Sequence, residues 1–413
     1  MDDVVTRTGY HVAVTQLIDL KFTGAESPRV SVDLEQSAAI VFEPDARIEI
    51  LAPADGAVVY ACDMSAAGIS PAWLPRGRYR IGCHLHALEL PAGRYALRIA
   101  VTAKSAGARR PLAEDRIEFT NDAPRTAQGL GGAAFSLQSA AGTVAVEDLA
   151  WNRGHENWFF RHFDHAALVV TDYLLAGNSR LGGRVLDVGC GDGITDLGIF
   201  LRYQPEEMVG IDPFSGFERL EKIVADNHLP PDVLDDPRLQ FRGEDGNAIP
   251  YPDDYFDVVV SWGSLEHIAG GYAGTLSEIR RVLKNDGLFF VHPGLFYGAL
   301  GNHLGEFFDD PFIHLKLPEA QLRDAVLGTR PELIDRAGHD AEPEQYWQWY
   351  KELNPIRVAD FERELRALGF EPWRVALRSS DLIEYTDELQ DYSMLDLATA
   401  ELYLSCWNRK GGN

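Results

Sequence analysis

Cysteine is scarce in this chain, and its few positions exclude two kinds of site. The 413 residues include four cysteines, Cys62, Cys83, Cys190 and Cys406. They lie far apart and form no C-x-x-C pair, which argues against a cysteine zinc site and against a disulfide framework. This cysteine usage suits a reducing compartment.

Long apolar runs are missing as well. The first residues, MDDVVTRTGYHVAV, start acidic and lack the apolar core of a secretory signal. No stretch approaches the roughly 20 apolar residues of a membrane-spanning helix. We therefore expect a soluble, cytoplasmic protein with no membrane span.

Positively charged residues are fewer than negatively charged ones in this chain. The chain has 38 Lys and Arg against 63 Asp and Glu, a formal net charge of −25. Phosphate backbones would be repelled by such a surface, so we expect no nucleic-acid partner. A chain of this length also exceeds the usual size of one hydrophobic core, and two domains are expected.

Residues 1–121 show short apolar runs between turn residues and predict an all-β sandwich domain. Two phrases resemble each other, LPRGRYRIGCHLHAL at 74–88 and LPAGRYALRIAVTA at 90–103. The region resembles the carbohydrate-binding domain of the ATPases of O-antigen ABC transporters, which implies glycan recognition. A packing module that supports assembly into a homo-oligomer explains the same strands equally well.

Residues 122–148 are rich in Ala, Gly and Ser and are predicted to be a linker to a second domain, 149–413. A helix is expected over 157–177. From residue 184 onward the pattern alternates between strand and helix, which is typical of a parallel sheet covered by helices.

The stretch RVLDVGCGDG, residues 184–193, is a buried strand followed by a glycine loop. Gly189, Gly191 and Gly193 let a ligand approach the backbone, and Asp187 lies within the strand. The next strand ends at Asp212 and Pro213. The third ends at Asp245 and Gly246, and the fourth at Ser261 and Trp262. No lysine follows the loop, which disfavours a phosphate ligand, whereas the acids suit a cationic one.

Residues 184–293 resemble a class I S-adenosylmethionine-dependent methyltransferase in the order and spacing of these motifs. The resemblance implies an α/β, doubly wound, Rossmann-like sheet of seven strands, with S-adenosyl-L-methionine as the cofactor. It implies that the three glycines line the methionine moiety and that Asp187 steers its amino group. Asp212 with Pro213 would hold the ribose and Asp245 with Gly246 the adenine, while Ser261 and Trp262 would close the floor.

Three histidines are candidates for catalysis, because an acceptor hydroxyl or amine must lose a proton. His267 follows the fourth strand, and His303 and His314 lie in an aromatic, Gly-broken insert that we predict to be part of a substrate lid at about 292–355. Each could equally be a hydrogen-bonding wall residue or a surface residue. Their spacing matches no metal motif, so no metal is expected.

Three functions remain open at this point. The leading one is O-methylation of a sugar or surface polysaccharide, with a small-molecule or glycan acceptor. The second is methylation of a phenolic, lipid or peptide metabolite, with the β-sandwich as a dimerisation module. The third is a non-catalytic scaffold that binds S-adenosylmethionine.

Overall fold

The chain divides into two compact units, Met1–Gly142 and Thr143–Asn413. A computed structural model describes residues 12–21, 29–53, 55–70, 73–85, 90–105, 108–121, 133–139, 159, 161–227, 229, 231–305, 307–330 and 342–411. Within those ranges, none of the helices has the length and apolar character needed to cross a bilayer.

The first unit is built from antiparallel strands. They pair in the order β6-β5-β2-β4-β7, and β1 and β3 also pair with β2. The described strands are β1 (Val12–Lys21), β2 (Arg29–Leu51), β3 (Val58–Asp63), β4 (Trp73–His84), β5 (Gly93–Ser105), β6 (Ala108–Asn121) and β7 (Ala134–Ser139).

Strand β2 runs through both halves of this sheet. Its first half pairs with β1 and β4, and its second half pairs with β3 and β5. Val32 from the first half and Ile48 from the second are fully buried in one apolar core. The strand continues past Pro44, because a register shift at Phe42–Asp45 accommodates the proline next to Glu43, whose φ is 42°.

The predicted linker, 122–148, needs a correction. Its residues 134–139 form β7, which pairs with β4. Phe135 is buried in the core of the sheet and Leu137 packs against it. This alternation of apolar side chains was obscured by the small residues around it. Residues 122–132 and 140–148 lie outside the described residues.

The second unit holds a seven-stranded mixed sheet in the order β10-β9-β8-β11-β12-β14-β13. The first five strands in that order are parallel, and β14 runs antiparallel to both of its neighbours, β12 and β13. The strands are β8 (Arg184–Val188), β9 (Glu207–Ile211), β10 (Leu239–Arg242), β11 (Phe256–Trp262), β12 (Leu283–His292), β13 (Phe370–Ser379) and β14 (Thr399–Asn408).

Helices cover this sheet and fill the segment after β12. They are α1 (Ile194–Tyr203), α2 (Leu220–Asp226), α3 (Ala273–Val282), α4 (Ile313–Lys316), α5 (Glu319–Leu327), α6 (Pro343–Glu352), α7 (Val358–Ala367) and α8 (Met394–Ala398). In the predicted lid region, α5 and α6 share a small core of their own, which includes Leu322, Val326 and Tyr346. The role of this segment as a lid stays a prediction.

The helix expected at 157–177 has an unusual form. Arg161–Ala166 and Val169–Leu174 are wide, π-type turns. The amide of Leu175 donates to the carbonyl of Val170, five residues back, at 2.9 Å. Wide turns of this kind are rare and occur frequently at functional sites.

Candidate active site

The glycine loop joins the end of β8 to the start of α1. Gly189, Gly191 and Gly193 have φ of 80°, 57° and 76°, in the left-handed region that favours glycine. A Cβ at position 189 would lie 2.2 Å from the Cβ of Ser264, whereas one at position 191 would meet open space. The loop therefore exposes backbone to a ligand on one side while it packs tightly on the other.

Asp187 lies in β8 directly before this loop. Its side chain is buried, and its Oδ1 has no hydrogen-bond partner among the described residues. Burial raises the pKa of Asp187 to about 7. A buried carboxylate in this state is suited to a cationic group, which would supply the missing partner.

Asp196 was missed by the sequence reasoning. It lies in the first turn of α1, is fully buried, and has neither carboxylate oxygen hydrogen-bonded within the described part of the chain. Burial and the neighbouring charge of Asp187 raise the pKa of Asp196 well above its ordinary value. An acid amid the apolar residues of ITDLGIFLRY was the available indication.

Asp212 follows β9 and contacts the glycine loop. One of its oxygens accepts from the amide of Gly191 at 3.1 Å, and the other accepts from the amide of Phe214 at 2.8 Å. Burial raises the pKa of Asp212, although the two amides and nearby His267 act in the opposite direction. Pro213, beside it, is exposed. The tip of the second strand thus lies against the loop.

The tip of the third strand reaches the same edge. Gly246 is buried, and a Cβ there would lie 3.0 Å from Cγ1 of Val188, the last residue of β8. Asp245 is exposed and accepts from the amide of Asn247 at 2.8 Å. Its carboxylate therefore lies at the surface of this edge and is accessible to a ligand.

Ser261 and Trp262 diverge at the end of β11. The Ser261 hydroxyl lies 2.8 Å from that of Ser264, which in turn donates to the carbonyl of Val188. The ring of Trp262 packs instead on Phe290 of β12. Ser261 thus belongs to the support of the glycine loop, whereas the place of Trp262 in a cofactor floor stays a prediction.

Two of the three candidate histidines lie together. His267 and His303 are exposed, and their ring centroids are 4.9 Å apart. Glu266, which sequence reasoning missed, is buried, and its Oε1 lies 4.0 Å from Nε2 of His267. Nothing in the sequence spacing predicted this group, because the fold brings two separate segments together.

His314 lies in a different environment. It is buried, and its Nε2 is 2.8 Å from the carbonyl oxygen of Phe296. Burial lowers the pKa of His314 to about 4, so the ring is neutral near pH 7. This geometry favours a packing role over the predicted catalytic one. His292, at the end of β12, similarly bonds the carbonyl of Leu402 through Nδ1 at 2.9 Å.

The residues present fit S-adenosylmethionine. A Cβ at Gly191 would project into open space where a ligand can approach the backbone, and the buried Oδ1 of Asp187 lacks a donor that an ammonium would provide. Carboxylates at the tips of two further parallel strands, Asp212 and Asp245, suit ribose hydroxyls and an exocyclic amine.

Comparisons with known proteins agree with this fold. The family model of the methyltransferase domain matches residues 160–375. A sterol 24-C-methyltransferase of Gibberella zeae is 33% identical over 135 residues, which is 32% of this chain and 33% of that protein. The 27-O-demethylrifamycin SV methyltransferase of Amycolatopsis mediterranei is 32% identical over 108 residues, 26% of this chain and 37% of that protein.

A solved structure of geranyl diphosphate methyltransferase, in complex with GPP and sinefungin, is 13% identical with a TM-score of 0.37. The alignment covers 59% of this chain and 76% of that one. The matched segment spans only about a third of the length of the two curated relatives. The family model, in contrast, takes in just over half of the present sequence, and the chain therefore belongs to the S-adenosylmethionine-dependent methyltransferases.

Proposed function

We propose that the chain transfers a methyl group to a hydroxyl of an acceptor that binds beside His267 and His303, and that a sugar or surface polysaccharide is the leading acceptor class. The observation that carries this proposal is the position of His267. His267 lies on the turn directly after β11, three residues beyond Ser264, whose hydroxyl donates to the carbonyl of Val188 at the start of the glycine loop. Polar, exposed imidazoles at this place suit an acceptor that must lose a proton.

The cofactor contacts are part of the proposal. Asp187 would accept from the ammonium group, Asp212 would hold the ribose hydroxyls, and Asp245 with the amide of Gly246 would hold the adenine. When bound, S-adenosylmethionine supplies an electrophilic methyl group. The chain's own contribution is to orient the two reactants in line, which is where much of the catalysis of a displacement originates.

The aromatic side chains of the predicted lid support an acceptor with one flat, apolar face. Phe296 stacks on Tyr350 with ring centroids 5.8 Å apart, and Trp347 lies 5.3 Å from Tyr350. Such rings bind the apolar face of a sugar as well as that of a planar metabolite. We propose that this segment contacts the acceptor.

A second candidate acceptor is the hydroxyl of a secondary metabolite. The name of the Amycolatopsis relative describes O-methylation of a rifamycin, and this supports a metabolite as the second candidate. A transfer assay with radiolabelled S-adenosylmethionine separates the candidates, with oligosaccharides and phenolic, lipid and peptide metabolites offered as acceptors in parallel. Absence of label in every acceptor and in cell extracts would favour a non-catalytic scaffold.

Replacement of Asp212 tests the cofactor site. We expect Asp212→Ala to weaken S-adenosylmethionine binding by about tenfold or more, the scale of losing hydrogen bonds to a charged group. Calorimetric titration measures it, with Asp226→Ala on α2, an exposed acid, as the matched control. Equal affinities for wild type and Asp212→Ala would contradict the assignment.

A further inference from the structure

Glu266, His267 and His303, here called the Glu266 cluster, form a group of metal-ligating side chains. Each offers one ligand atom, and these atoms all lie within 4.8 Å of one another. Two segments supply them: the turn after β11 supplies Glu266 and His267, and the insert after β12 supplies His303. A pair of imidazoles with one carboxylate is a donor set that divalent first-row transition metals prefer.

The carboxylate of Glu266 is the strongest indication of a bound cation. Its side chain is 3% exposed, and its Oε2 has no hydrogen-bond partner among the described residues. A Cβ at Gly294 would lie 2.5 Å from Oε1, so the chain leaves room for this carboxylate. Burial of an unpaired carboxylate is unfavourable unless a positive charge compensates it.

His303 is held in place by a strained backbone. Its φ of 57° is left-handed, which is uncommon for a residue other than glycine. The neighbouring Asn302 is buried, donates to the carbonyl of Pro311 at 3.0 Å and accepts from the amide of Leu304 at 2.9 Å. This network holds the turn that presents the imidazole to His267. Strain of this kind persists mainly where function requires it.

We propose that the Glu266 cluster binds one divalent metal ion of the Zn²⁺ type through the carboxylate of Glu266 and the imidazoles of His267 and His303. Tetrahedral ligands at Zn–N and Zn–O bonds of about 2.1 Å lie about 3.4 Å apart. The ligand atoms here lie up to 4.8 Å apart. Small rotations of the two exposed imidazole rings bring them to the shorter separation, while buried Glu266 stays in place. Three protein ligands leave the fourth position open, as in catalytic rather than structural zinc sites.

The open position gives the metal a task in the reaction, and this part of the inference rests on the proposed function. An acceptor hydroxyl bound there would lose its proton to water more readily, because a divalent metal lowers the pKa of an oxygen it binds. The histidines would then act as ligands rather than as a free base. Sequence spacing alone gave no reason to expect a metal, because the ligands come from two distant segments.

The test is a calorimetric titration of the full-length chain with ZnCl2 after treatment with a chelator. We expect one equivalent of Zn²⁺ per chain. His267→Asn and His303→Asn should each weaken binding by about 100-fold, and Glu266→Gln by at least about tenfold. Asparagine is chosen at position 303 because it tolerates a left-handed backbone. The matched control is His84→Asn on β4, which should bind Zn²⁺ like wild type.

Co²⁺ provides a second measurement, since its visible absorption reports nitrogen and oxygen coordination. S-adenosylmethionine binding, measured on the same samples, should change less than about threefold in Glu266→Gln and His303→Asn if these variants fold. No saturable one-to-one metal binding by a wild type that binds S-adenosylmethionine would overturn the metal site alone. Equal metal binding by wild type and His303→Asn would also overturn it. Metal binding without S-adenosylmethionine binding would instead overturn the proposed function.

Discussion

The carboxyl groups of Asp187 and Asp196 are enclosed together beneath the glycine loop. Each is at most 2% exposed. The two carboxyls interact with each other, and while both are ionised neither can donate a hydrogen bond to the other. Protonation of one carboxyl lets it donate to its neighbour. The pair therefore holds a proton in the folded chain until a cation replaces it.

This pair predicts a pH dependence of stability. The folded chain binds more protons than the unfolded chain between the ordinary carboxyl pKa near 4 and about 7, the pKa of Asp187. Stability is therefore lost as the pH rises through that window. Asp196→Asn should flatten the dependence and be more stable than wild type by about 1–2 kcal/mol at pH 8.

Urea unfolding at pH 5, 6, 7 and 8 measures the difference between Asp196→Asn and wild type. Asp245→Asn, at an exposed position, makes the same chemical change outside the pair. Its profile should run parallel to that of wild type. If the stability of Asp196→Asn varied with pH in parallel with that of wild type, the pair would bind no more protons in the folded chain than in the unfolded chain.

Among the elements, α1 packs unusually closely against the helical turn Arg161–Ala166. A Cβ at Gly198 would lie 2.0 Å from the carbonyl oxygen of Phe163 and 2.9 Å from the Cβ of Ala167. Backbone atoms cannot move aside as the end of a flexible side chain can. The contact between α1 and this turn therefore requires glycine at position 198. Because α1 begins at the glycine loop, its position also determines the position of that loop.

Gly198→Ala should destabilise the second unit by about 2–4 kcal/mol, since a methyl group would be forced into backbone. Gly182→Ala is the matched control, because a Cβ there meets nothing within 4 Å. It should change stability by no more than about 0.5 kcal/mol. Denaturant midpoints measure both variants, and a mild effect at position 198 would show that α1 can shift away.

The elements that the sequence predicted best were those with local patterns. The apolar run around Asp187 predicted the strand β8. The acids after successive strands predicted a candidate site, because the ends of parallel strands meet at one edge. Asp196 and Glu266 were missed because their importance depends on enclosure by distant residues. Strand β7 was missed because only two of its six residues, Phe135 and Leu137, are large and apolar.

On the scale of the whole molecule, the two compact units have separate cores. One core lies among β1–β7 and includes Val32 and Ile48. Another lies on the seven-stranded mixed sheet and includes Phe256 and Phe289. Separate cores allow separate unfolding, so the chain need not behave as one cooperative system.

Scanning calorimetry of the full chain should therefore show two transitions. Saturating S-adenosylmethionine should raise the midpoint of only one of them, by several degrees, because a ligand stabilises only the unit that binds it. Glycan at high concentration should raise the midpoint of the other transition if the first unit recognises sugars. A single transition that shifts as a whole would show that the two units unfold together.

Strand β7 has a practical consequence for anyone who separates the two units. The sequence suggested a boundary at residue 121, but a fragment that stops there would lack β7. The edge of β4 that pairs with β7 would then be exposed and open to intermolecular strand pairing. Poor solubility or false self-association of such a fragment would then be an artefact of the cut. Sugar-binding trials are better made with a piece that continues to Gly142.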